Sequence, residues 1–119
     1  MGKVALVTGG TRGIGEAISK KLSSSNFKVI ANYASNDDAA KNFSEKNKIE
    51  IKKWDVSNYD ECEKSISQIY ENHSQIDILV NNAGITRDAP LHKMGLDKWQ
   101  KVVDVNLNSI FNMTSLIIN

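Results

Sequence analysis

Four short apolar runs punctuate the chain, and between them apolar residues recur at helical spacing. Val4 to Val7 is an unbroken run of β-formers, as expected of a strand buried on both faces of a parallel sheet. Glycines end it, and Ile14, Ala17, Ile18 and Leu22 then mark the inner face of a helix over about Gly13 to Ser24. Phe27 to Asn32 predicts a second strand. Ser35 or Asn36 caps the next helix, whose first turn carries Asp37 and Asp38 and whose inner face is Ala39, Ala40 and Phe43. Ile49 to Asp55 predicts a third strand, polar enough for a sheet edge. Ser57-Asn58-Tyr59-Asp60 reads as a capping box before a helix with Cys62, Ile66, Ile69 and Tyr70 on one face. Ile76 to Val80 predicts a fourth buried strand. A loop with the only proline, Pro90, leads to a long helix from about Leu96. Its apolar positions Trp99, Val102, Val103, Leu107, Ile110, Phe111 and Ile117 run on to the last residue.

Strands that alternate with helices require βαβ crossovers, and hence a parallel sheet covered on both faces. The expected fold class is α/β, one Rossmann-type domain over residues 1–119 with four strands of a doubly wound sheet. No repeat or linker interrupts it. A net charge of +1 leaves no basic stripe for nucleic acid and no acidic tail. No apolar run approaches the ~20 residues that span a membrane. Met1-Gly2-Lys3 runs straight into a strand, so no signal peptide is expected. Cys62, the one cysteine, has no internal disulfide partner and falls on a core face; a cytoplasmic protein is the natural expectation. His73 and His92 have no second ligand at metal spacing, so no metal site is expected.

The chemistry gathers at the strand ends. After the first strand stands Thr8-Gly9-Gly10-Thr11-Arg12-Gly13-Ile14-Gly15, a T-G-x-x-x-G-x-G pattern in a strand–turn–helix setting. Gly9 suits a positive φ, Gly13 leaves room for a pyrophosphate at the helix N-terminus, and Gly15 lets the helix lie close. The plain alternative is a tight βα turn. An acidic residue ~20 positions beyond the glycines would hold a ribose 2′-hydroxyl. Here the second strand ends in Asn32-Tyr33, while Arg12 offers a guanidinium to a 2′-phosphate. Both features point to NADP(H), with Asn32 at the ribose end; otherwise Arg12 is a solvated loop residue.

The glycine pattern, together with Asn81-Asn82-Ala83-Gly84 after the fourth strand and Val105-Asn106-Leu107 in the long helix, resembles the short-chain dehydrogenase/reductase family. The resemblance implies a Rossmann fold that binds NADP(H) through Gly9, Arg12, Gly13, Ile14, Gly15, Asn32, Asp55, Val56, Asn81, Ala83 and Gly84. Asp55 stands for the family's adenine-contacting acid, or else is a turn residue before Ser57. Asn106 stands for the asparagine of the catalytic tetrad, or else is a tolerated polar position. Gly84 to Asp88, His92-Lys93-Met94, Trp99, Lys53 to Ser57 and Asn108 to Thr114 resemble the acetoacetyl-CoA reductase branch. Gly95 departs from it, since a threonine or serine commonly caps the long helix there. The 3-oxoacyl-acyl-carrier-protein reductases share Gly84 to Asp88 and less of the rest.

The family's catalytic serine, tyrosine and lysine have no counterpart here. Tyr33, Tyr59 and Tyr70 are followed four residues on by Asp37, Glu63 and Ser74 rather than lysine. The resemblance therefore implies the truncated, nucleotide-binding half of an NADPH-dependent reductase of a short 3-oxoacyl-CoA, inactive alone. The full-length relative is expected to be a homo-oligomer built partly through the long helix. A non-catalytic nucleotide-binding remnant and an interaction module are the other two readings.

Overall fold

The computed structural model describes residues 2–85 and 91–118. Thr86, Arg87, Asp88 and the predicted Pro90 loop lie outside them. Strands β1 (Val4–Val7), β2 (Lys28–Tyr33), β3 (Glu50–Lys53) and β4 (Ile78–Val80) form one parallel sheet in the order β3-β2-β1-β4. Helices α1 (Gly13–Ser24), α2 (Asp37–Asn47) and α3 (Tyr59–His73) are the crossovers. After a short 3₁₀ turn, Leu91–Lys93, the chain runs through α4 (Leu96–Val103) and α5 (Ser109–Ile117).

The sheet explains why β1 is apolar at every position. Alternate side chains of a strand face opposite ways, and both faces are covered. Val4 and Leu6 pack with Ile30, Trp54, Val56, Cys62, Ile66, Ile69 and Met113 on the α3–α5 side. Val7 packs with Val29, Ala31, Phe43 and Ile49, and with Ile18 and Leu22 of α1, on the other. The polar strand β3 lies at the edge, as its composition predicts. Cys62 is a fully buried core residue, and burial pushes its thiol up to about 11.

Several expectations need correction. Ile14 is 76% exposed and Ala17 is exposed too; the buried face of α1 is Gly15 and Ser19. The helix must approach the glycine turn closely at that end, and only small side chains fit beneath it. Strand β2 begins one residue later than expected, and β3 is shorter. Strand β4 starts at Ile78 and is half-buried rather than buried, being paired only to β1 among the described residues. Tyr70 sits at the exposed rim of α3. The cap of α3 is Asn58, which accepts from the Glu61 N–H at 3.1 Å, whereas Ser57 turns back to Asp55. Asn36, with φ 63°, caps α2 by accepting from the Ala39 N–H.

The long helix is not regular. Residues Asp104–Asn108 form a π-helical turn between α4 and α5, the single-turn bulge that often marks a functional position in a helix. Asn112 of α5 donates to the Val56 carbonyl at 3.0 Å in the core, which pins the helix to the chain leaving β3.

Candidate functional site

The carboxyl ends of the strands open into a cleft of about 590 Å³. This is where an open parallel sheet gathers its ligands, because the βα turns converge there. One wall is the glycine turn. Gly9 has φ 61°, and a Cβ on it would lie 3.1 Å from the Ala83 Cα. Gly15 is packed so tightly below that a Cβ would fall 1.9 Å from the Gly9 carbonyl oxygen. Gly10, which the spacing pattern leaves unspecified, is just as confined, between Ser19 Oγ, the Val7 carbonyl and Ala31. Gly13 is the opposite case: φ is 58°, and nothing lies within 4 Å of where a Cβ would stand. The space in front of Gly13 is open, and it lies at the N-terminus of α1, whose first N–H groups have no intrahelical partners.

The second wall is the chain after β4. Thr8 Oγ1 accepts from both the Asn82 and Ala83 N–H groups at 3.0 Å and donates to the Val80 carbonyl. Asn82 Nδ2 donates to the Gly9 carbonyl at 3.1 Å. One side chain from each strand end thus ties the two turns together. Asn81 does not share in this; its amide donates to Thr114 Oγ1 on α5. Asn106, in the π-helical turn, holds Ile85 by both ends: its Oδ1 accepts from the Ile85 N–H at 2.8 Å and its Nδ2 donates to the Ile85 carbonyl at 2.9 Å. A regular helix would carry the Asn106 side chain at a different angle, so the bulge and this paired contact belong together.

Among the described residues, Arg12 and Lys101 are the cations along the cleft, and Asp55 is the acid. Burial would raise the Asp55 carboxyl, but hydrogen bonds from the Ser57 hydroxyl and N–H, with the charge of Lys101, hold it below the usual carboxylate range. Tyr33 is pushed up by burial and by the Asp37 carboxylate, with Lys53 opposing, so it is a poor proton donor.

Of the residues expected from the sequence, Gly9, Arg12, Gly13, Ile14, Asn32, Asp55, Val56, Ala83 and Gly84 line the cleft. Gly15 lies under the turn, and Asn81 and Asn106 stand behind the walls. Sequence reasoning missed Thr11, Tyr33, Ser35, Lys101 and Val105 as lining residues, and Thr8 as the latch. The spacing of Lys101 and Val105, one helical turn apart, was the available signal for those two.

The arrangement fits a dinucleotide. The open ground before Gly13, at a helix N-terminus beside a guanidinium, accommodates a pyrophosphate, and the apolar Val56 and Val105 suit a flat base.

Residues 3–119 match the family model described as short chain dehydrogenase. The chain is 56% identical over 114 residues to an acetoacetyl-CoA reductase of Paracoccus denitrificans, a match that covers 96% of this chain and 47% of that one. It is 41% identical over 123 residues to a 3-oxoacyl-[acyl-carrier-protein] reductase of Synechocystis, covering 97% and 49%. Among solved structures, a mutant short-chain dehydrogenase/reductase of Serratia marcescens superposes with a TM-score of 0.91 at 32% identity, over 99% of this chain and 50% of that one. The chain spans about half the length of the curated relatives it matches.

Proposed function

The chain belongs to the short-chain dehydrogenase family, and from that premise we propose that it forms the NADPH-binding half of a reductase acting on a short 3-oxoacyl-CoA, acetoacetyl-CoA in the first instance. The observation that carries the proposal is the open cradle at Gly13, at the N-terminus of α1 and beside Arg12. When bound, the nicotinamide supplies the hydride. The rest falls to the protein. Gly9 and Gly13 admit the pyrophosphate, the N–H groups of α1 balance its charge, and Arg12 pairs with the 2′-phosphate. Asp55, kept ionised by Ser57, accepts from the amino edge of the base. Asn106 sets Ile85 and Gly84 against the cofactor's far end.

The proton of the reduction needs an acid near neutral pH, and Tyr33 does not qualify. Tyr33, Tyr59 and Tyr70 each lack a lysine four residues on, so the proposal assigns the proton to none of them. The preference for a CoA thioester over an acyl-carrier substrate rests on the identity of 56% against 41% among the relatives. A reduced Cys62 and a soluble acyl-CoA substrate suit the cytoplasm, and the apolar flank of α5 suits a homo-oligomer.

Titration with NADPH and NADH tests the cofactor assignment. Arg12→Ala should weaken NADPH more than NADH by about 1–2 kcal/mol, the worth of a charge-assisted pair. Equal losses for the two nucleotides would remove Arg12 from the phosphate.

A further inference from the structure

The end of β2 is where a residue would be expected to face the ribose, and Asn32 stands there. The structure gives it other work. Asn32 is 2% exposed, and its amide is engaged at both ends. Its Oδ1 accepts from the Gly9 N–H at 3.2 Å, and its Nδ2 donates to the Trp54 carbonyl at 3.1 Å. Its own carbonyl accepts from the Gly10 N–H at 2.9 Å. One residue therefore fixes two successive N–H groups of the glycine turn and the last carbonyl before Asp55.

We infer that Asn32 is a positioning residue, not a ribose ligand: its side-chain amide sets the spacing between the phosphate cradle at Gly9 and the base-binding wall at Asp55. Nothing else among the described hydrogen bonds joins these two places directly. An asparagine is required because the bridge needs an acceptor at one end and a donor at the other. A buried donor or acceptor without its partner is costly, so the amide also keeps the turn from relaxing. The two walls hold parts of the dinucleotide common to NADPH and NADH, so loss of the bridge weakens both alike. The inference rests on the dinucleotide reading of the cleft.

Asn32→Asp separates the two roles. An aspartate keeps the acceptor for Gly9 but, when ionised, sets a charge against the Trp54 carbonyl. NADPH and NADH should then lose affinity by the same factor, about tenfold for one broken buried bond. Relative to the unaltered protein at the same pH, both affinities should recover as the pH falls, because a protonated carboxyl regains the donor. Hydrogen exchange at the Gly9 and Gly10 amides should quicken in the variant, measured without nucleotide. Asn32→Ser, which retains one polar atom in less volume, serves if the aspartate variant does not fold; it should give a smaller, equally shared loss. A loss confined to NADPH in either variant would return Asn32 to the ribose and overturn the inference, as would unchanged affinities or unchanged exchange at Gly9. Failure of the unaltered chain to bind either nucleotide would instead refute the dinucleotide reading, leaving the exchange result to judge the role of Asn32 in the turn.

Discussion

The glycine turn breaks an apolar stretch with glycines and the long helix breaks one with asparagines, and the two end in opposite states. Around β1 and α1 every demand is met nearby. β1 is wholly buried, Thr8 and Asn82 tie the turn to β4, and Gly15 lies in contact with Gly9. Along α4 and α5 the apolar residues face out: Trp99 is 54% exposed, Leu107 63% and Phe111 67%. Only one flank of that helix, through Val105, Asn112 and Met113, reaches the core. The turn is held by contacts within the described residues, several of them from segments more than 70 positions away. The helix keeps an apolar strip that nothing among the described residues covers. The proposal that the full protein is a homo-oligomer makes this strip its expected association surface.

The largest effects are expected at the glycines. Gly15→Ala drives a methyl into the Gly9 carbonyl and should cost about 3 kcal/mol or more in urea unfolding, as overpacking against backbone does. Gly13→Ala meets nothing and should cost only the left-handed backbone penalty, about 1 kcal/mol, while abolishing nucleotide binding. Equal unfolding costs would mean that the turn is looser than its contacts indicate.

A middling effect is expected where the two regions communicate. Asn106→Ala removes both hydrogen bonds to Ile85 and should cost about 1–2 kcal/mol, with faster hydrogen exchange at the Ile85 amide. Unchanged exchange there would show that the π-helical turn holds without its side chain.

The smallest effect on stability should come from the exposed strip. Leu107→Lys combined with Phe111→Glu should change unfolding by within about 0.5 kcal/mol. Residues 1–119 alone should associate in light scattering and should not oxidise NADPH with acetoacetyl-CoA; the double variant should scatter as a smaller species. Association that survives the double variant would shift the cause to β4, which is paired on one side only among the described residues. Turnover by the unaltered chain would mean that some residue here supplies the proton.

Features that follow from period and local chemistry can be read directly from the residues. The apolar run Val4–Val7, the helix Gly13–Ser24, the polar edge strand and the positive φ of Gly9 were all legible, because each depends on neighbours a few positions away. Other features depend on which segments the fold brings together. Ile14 has a helical apolar spacing but stands at the mouth of a cleft, so periodicity placed it inside and the fold left it out. Asn81 and Asn82 are chemically identical neighbours, and only the pairing of β4 with β1 selects Asn82 for the glycine turn and leaves Asn81 to α5. Asn32 reads as a strand end open to a ligand until Gly9 and Trp54, just past the ends of β1 and β3, close on its amide. A side chain's periodicity belongs to its own segment, whereas its hydrogen-bond partners belong to segments up to 75 residues away.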